Sequence, residues 1–449
     1  MDFTARNVKA KIVAIMLALS MAFSLFSMTA SAAGNQGKGN SYPIVFVHGM
    51  MGWGSYESFH NVIDYWGLAS GNMVNDLNGK YGKVYEASVG PVSSSWDRAC
   101  ELYAQLTGTR TDYGVAHSAK YGHERYGRDY TGKALIKNFN WNSSSKINLV
   151  GHSFGANTIR VFLDMLADGR SEEVAACKAN GTKVSPLFKG GKGNYVHSIT
   201  TIAGTNNGTG YDYAMPVAAN ASFLLYQIWM YGDSILGFPV LHDFQLDHFG
   251  LSNNSLNGAV NTLNAVLGST FLSHHDNCCE ETFVDRAVDM NKDLQIIPGV
   301  YYFCYGADVT KASSDGTRVS LPKAFPMLAV FSTVVGRYTG VTPGSYVDGY
   351  GSYQRTVNVT PTKIDSSWWR NDGFVNTVCE QTPFHYVNGK KVYDKHKTYV
   401  KGEALKPGQW YVMPTTAADH FGIIGGVFTE DSNTIRTFFR NLAQTIRSC

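Results

Sequence analysis

An α/β fold on a mostly parallel sheet is predicted by three features of this chain. Short apolar runs with strand character recur along it, segments of helical periodicity separate them, and glycine stops several of the runs abruptly. A sheet connected in this way is covered by helices on both faces, which needs a large apolar inventory. The chain has 449 residues, 44% of them hydrophobic and 16% charged, enough for one such domain with insertions.

The elements follow in order. The residues "YPIVFVHGM" read as a buried strand ending at Gly49. "KVYEASVGP" (83–91) is a second strand stopped by Gly-Pro, and Ser93 to Ser95 supply a cap for a helix through "WDRACELYAQL". Residues 113–130 are crowded with His, Gly, Tyr and Arg and lack clear periodicity. A third strand, 147–150, precedes a helix whose Ile159, Phe162, Leu163 and Leu166 fall on one face. "YVHSITTIAG" (195–204) and "GVYYFCYGAD" (299–308) are further strands. Between them, residues 211–275 turn rich in Ala, Leu, Asn and Met, with two amphipathic stretches that read as a helical insertion over the sheet.

The N-terminus reads as a secretory signal. Arg6, Lys9 and Lys11 precede an apolar core from Ile12 to Phe26, and Ala30-Ser31-Ala32 is a small-residue cleavage site. Cleavage after Ala32 is expected, leaving residues 33–449 as the mature domain of a secreted, extracellular protein. The segment 1–32 carries three basic residues and Asp2, so the formal charge changes from +3 to 3 − 2 = +1. A near-neutral chain gives no electrostatic reason to bind nucleic acid. All seven cysteines follow the signal, an odd count with irregular spacing. At least one free thiol is therefore expected, and no pairing can be assigned.

The chemistry centres on Gly151-His152-Ser153-Phe154-Gly155, a G-x-S-x-G motif between a strand and an amphipathic helix. Alone the motif is weak; the flanking elements make Ser153 a nucleophile on a strained turn, aimed by the helix N-terminus. A serine needs a base, and the base an orienting acid, here in the chain order Ser, acid, His. "RNDGFVN" offers Asp372 and "AADHFGIIGG" offers His420, while Asp365, Asp419, His385 and His396 compete on pattern alone. An oxyanion hole needs two backbone N–H donors. Phe154 follows the nucleophile, and Met50 follows the first strand in "VHGMMGWG".

The blocks "YPIVFVHGMMGWG", "VGPVSSSWDRACELYAQLTG", "DYGVAHSAKYGHERYGRDY", "SPLFKGG", "ITTIAG", "DFQLDHFGL", "NDGFVNTV" and "DHFGIIG" resemble, in order and spacing, the secreted thermoalkalophilic lipases of Geobacillus type, relatives of the staphylococcal lipases. The resemblance spans nearly the whole chain after the signal. It implies an α/β-hydrolase fold with the triad Ser153, Asp372 and His420 and oxyanion donors at Met50 and Phe154. Tyr211 to His275 has the length and helical character of the lid in these enzymes, giving a lid at about 206–275.

On their own residues, His117 and His123, six apart in a polar loop, read as solvated or core histidines. The resemblance implies instead a structural zinc site of Asp97, His117, His123 and Asp276, in a small extra subdomain over 91–135. Two neutral imidazoles and two carboxylates make a closed, charge-neutral tetrahedral set. His274 or His275 is an alternative to Asp276, whose flanks depart from the pattern. The family's calcium site past the catalytic histidine is not expected, because Gly422 and Val427 stand where carboxylates belong, with Glu430 and Asp431 as the nearest acids. Asn206 and Asn207 also depart from the pattern and are expected to alter the pocket. The reading is a secreted serine carboxylic-ester hydrolase, a triacylglycerol lipase acting at a lipid–water interface. Its alternatives are a broader carboxylesterase (phospholipase A1 or polyester hydrolase) and a non-catalytic lipid-binding protein. Oligomeric state is not legible.

Overall fold

The computed structural model describes residues 39–61, 64–215, 243–251, 269–427 and 429–449. The signal segment 1–32 and most of the lid stretch, 216–242 and 252–268, lie outside the described residues. Seven parallel strands form the central sheet: β1 (Ile44–Val47), β2 (Val84–Ala87), β3 (Ile147–His152), β4 (Val196–Ile202), β5 (Tyr301–Tyr305), β6 (His396–Thr398) and β7 (Trp410–Val412). Their order across the sheet is β6-β7-β5-β4-β3-β1-β2, with β3 near the centre, so the strand that carries the serine is flanked by β1 and β4.

β1 shows how apolar runs become two-sided strands. All four residues are fully buried, yet they serve two cores. Ile44 and Phe46 join a cluster with Trp66, Phe439 and Leu442, the last two on the C-terminal helix α4 (Ser432–Arg447). Val45 and Val47 face the opposite way, against Leu102 of α1 (Ser95–Thr107) and Ile159 and Phe162 of α3 (Gly155–Asp168). Period-two alternation between covered faces is what a parallel sheet requires. The predicted face of α3 is buried from Ile159 to Leu166. Ser94 caps α1, its side chain accepting the Asp97 N–H.

The stretch 113–130, which shows no clear periodicity in the sequence, has regular structure. It folds as a hairpin, Arg110–Asp112 with Tyr126–Asp129, around a short helix α2 (Val115–Tyr121). Gly114 supplies no capping side chain; the Glu173 carboxylate closes the α2 N-terminus from outside, accepting the N–H of Ala116 and His117 at 3.0 and 2.7 Å. All seven cysteines are unpaired thiols.

Candidate active site

Ser153 sits at the β3–α3 junction with φ of 54°, a left-handed conformation that only a forced turn imposes on serine. Close packing forces it. A Cβ on Gly155 would stand 2.3 Å from the Val47 carbonyl oxygen, and one on Gly49 would stand 2.6 Å from Ser153 Cβ. The glycines thus let β1, the turn and α3 approach one another, and the serine is levered outward, only part-buried.

Asp372 and His420 come from distant loops and meet. His420 Nδ1 lies 2.5 Å from Asp372 Oδ2, and the His420 main-chain N–H donates to the Asp372 carbonyl at 3.0 Å. The other carboxylate oxygen of Asp372 accepts the N–H of Phe374 and Val375 at 2.9 and 2.7 Å. Asp372 is wholly buried, so these three donors to its side chain replace water. The competing Asp419 is turned away, its carboxylate accepting the N–H of Phe421, Gly422 and Phe325.

His420, Ser153 and Met50 line one cleft, whose walls include Trp53, Leu68 and Phe421. Phe154 caps α3; its ring is fully buried beside Met51 and Val92, with the Arg98 guanidinium 5.2 Å from the ring centroid. The ring therefore supports the loop from below and does not shape the cleft. Asn206 and Asn207 are likewise buried. Neither is among the described residues lining the cleft: Asn206 Nδ2 donates to the Glu380 and Gln381 carbonyls, and Asn207 Nδ2 to that of Thr382, so they brace the chain that follows Asp372.

Two supports escaped the sequence reading. Arg98 is completely buried and donates to the carbonyls of His48 and Gly90 and to Thr158 Oγ1, tying the loop that carries Met50 to α1 and α3. Tyr65 Oη accepts the Gly49 N–H at 2.9 Å and lies 2.6 Å from His152 Nδ1. Burial, helped by His420, keeps His152 far below its ordinary range, so it is neutral. No local motif marks either residue, because their partners, 8 to 87 positions away, are brought to them by the fold.

Asp97, His117, His123 and Asp276 converge as expected, with one ligand atom from each within 4.8 Å of the others. His117 Nε2 lies 3.0 Å from Asp276 Oδ2 and 3.2 Å from Asp97 Oδ1. His123 Nε2 lies 3.4 Å from Asp276 Oδ2, so the four side chains turn their polar atoms on one another largely out of solvent, as ligands arranged for a cation would. Burial alone would keep His117 neutral, yet Asp276 and Asp97 overcome it and push the imidazole up to about 10; a cation would take over that role. His274 and His275 are engaged elsewhere. His274 bonds the Tyr121 carbonyl and stacks on Tyr350 at 3.7 Å; His275 lies 3.2 Å from Glu280. A fifth residue, His248, holds Asp97 Oδ2 through Nε2 at 2.9 Å. Past His420, Glu430 pairs with Lys323 at 2.7 Å, and Asp431 caps α4.

Residues 40–342 match the family model for the lipase-like C-terminal domain. Lipase 1 of Staphylococcus aureus is 31% identical over 401 residues, covering 89% of this chain and 52% of the relative. The chain thus spans about half the length of that relative. Among solved structures, EstA from Clostridium botulinum has a TM-score of 0.75 at 31% identity, covering 93% of this chain and 89% of its own. Lipase 1 from Pelosinus fermentans has a TM-score of 0.72 at 32% identity, with 91% and 99% covered.

Proposed function

The chain belongs to the family of lipase-like C-terminal domains, and from that premise we propose that it is a secreted serine carboxylic-ester hydrolase, a triacylglycerol lipase. The observation that carries the chemistry is one cleft lined by a strained, part-exposed Ser153 and by a His420 already held by a buried, triply bonded Asp372. Ser153 Oγ attacks the ester carbonyl carbon while its proton passes to His420. The C–O bond to the alcohol breaks, and His420 returns the proton to that leaving group. Water then attacks the acyl-enzyme by the same route and releases the acid. Asp372 orients the imidazole and stabilises its charged form. The N–H groups of Met50 and Phe154 receive the oxyanion, with Arg98 and Tyr65 bracing the Met50 loop.

An apolar cleft rim that includes Leu68 and Phe421 supports a lipid ester as substrate, met at a lipid–water interface. Asp97, His117, His123 and Asp276 would hold zinc. The ion would be structural, since four protein ligands leave no position for a reacting water. Because Asp97 and Arg98 are neighbours on α1, a held Asp97 also steadies the guanidinium under the oxyanion loop. The test is hydrolysis of tributyrin and p-nitrophenyl esters by the full chain and by Ser153→Ala. Loss of turnover in the variant, with unchanged folding, is expected; an equally active variant would exclude this mechanism.

A further inference from the structure

Behind the acid of the triad lies a second carboxyl that the reaction does not use. Glu380 ends the short helix Thr377–Glu380 and is fully buried. Its Oε2 accepts the main-chain N–H of Ala307. Its Oε1 is shielded from solvent and meets no N–H or O–H of another residue. What the side chain does meet is the carboxyl of Asp372, within hydrogen-bonding reach.

Two carboxyl groups attract only if one of them carries a proton. Counting donors decides which. The Asp372 carboxylate collects three N–H groups, from Phe374, Val375 and His420, and each favours its charged form. Glu380 collects one. The surroundings agree: burial, then Asp372, raises Glu380 well above the carboxylate range, and Asp308 acts in the same direction. The Asp308 charge is itself paired with Arg370 at 2.7 Å and Arg318 at 3.3 Å. The Asp419 charge repels that of Asp372, and His152 beside His420 is neutral, so neither neighbour favours ionisation of Glu380. Asn206, which holds the Glu380 carbonyl at 3.1 Å, fixes the side chain's origin.

We propose that Glu380 is a positioning residue of the triad: as a neutral acid it donates its O–H to Asp372, sets that carboxylate's orientation and withdraws part of its charge from His420. The proposal rests on the triad reading. Its consequence is a less basic His420, and therefore a base that stays unprotonated to lower pH.

The test is kcat/KM against pH for a soluble ester, using the full chain as wild type, Glu380→Gln and Glu380→Leu. Gln retains a donor: its amide oxygen can take the Ala307 N–H while its NH2 faces Asp372. The acid limb of Glu380→Gln is expected within about 0.3 unit of wild type, and that of Glu380→Leu roughly 0.5–1 unit higher. An ionised Glu380 predicts the opposite sign, because both variants would then remove negative charge and lower the limb. That result, or no shift in Glu380→Leu, overturns the proposal. Should Glu380→Leu fail to fold, the infrared difference between wild type and Glu380→Gln decides. Loss of a protonated-carboxyl C=O band supports the proposal, and loss of a carboxylate band overturns it. An active Ser153→Ala would instead remove the triad reading, so the two failures are distinct.

Discussion

His152, the residue before the proposed nucleophile Ser153, places its Nε2 3.1 Å from the main-chain oxygen of His420, the proposed base. Its other ring nitrogen faces Tyr65 Oη, which in turn takes the Gly49 N–H. One neutral imidazole thus connects the oxyanion loop to the backbone of the base. Tyr65→Phe leaves the Gly49 N–H and His152 Nδ1 without a partner, at a cost of about 1–3 kcal/mol each at most. Expected is a kcat reduced by roughly tenfold with KM changed far less, because the loop is displaced where charge develops in the transition state. Steady-state kinetics on a soluble ester check this; a pure KM effect would contradict it.

Asp372→Asn retains the shape of the acid and removes its charge. The amide favours the wrong imidazole tautomer, so kcat is expected to fall about 10⁴-fold, as in other Ser-His-Asp enzymes. Thermal unfolding should change little by comparison. A variant with wild-type turnover would assign the acid elsewhere, Asp419 being the nearest competitor.

If Asp97, His117, His123 and Asp276 hold the proposed zinc, its removal should destabilise more than it inhibits. Zinc analysis of the purified protein is expected to find about one equivalent per chain, and a chelator to lower the unfolding midpoint. Asp276→Ala should lower the midpoint by a similar amount and make it insensitive to the chelator. His248→Phe, which removes only the support of Asp97 Oδ2, should weaken zinc retention roughly 10–100-fold in competition with a chromophoric chelator.

Glu57 is a buried acid with a legible pH signature. Burial, then Asp243, raises its carboxyl from 4.5 to about 8. Between those values the folded protein keeps a proton that the unfolded chain has released. Stability therefore falls as pH rises from about 4.5 and levels off above about 8. Glu57→Gln retains an acceptor for Gln245 Nε2, now at 2.7 Å, without the titration. The variant should gain on wild type as pH rises, by on the order of 2–4 kcal/mol at alkaline pH. Denaturant unfolding at pH 5 and pH 9 measures it; a gain confined to pH 5 would show the sign to be wrong.

Gly155→Ala tests the elbow itself. A Cβ 2.3 Å from the Val47 oxygen forces β1 and α3 apart, and a loss above about 2 kcal/mol is expected, with activity falling alongside. A stable, active variant would mean that the turn relaxes without strain.

Much of this protein is determined locally. The apolar run of β1, the Ser94 cap, the buried face of α3 and the strand–Gly-x-Ser-x-Gly–helix junction follow from periodicity, capping and steric exclusion within a few residues. Residue pattern alone left Asp372 and Asp419 as rivals, because both stand in polar loops before apolar segments. The family resemblance chooses Asp372, and the tertiary structure gives the physical reason: Asp372 meets His420, while Asp419 is taken by main-chain N–H groups. Only the tertiary structure brings out Arg98, Tyr65, His248 and Glu380. Each is polar and buried, and each is satisfied by partners between 8 and 151 positions away, a relation that no short window of residues encodes. Burial makes those contacts obligatory, since a polar group out of water must find its partner wherever the fold brings one.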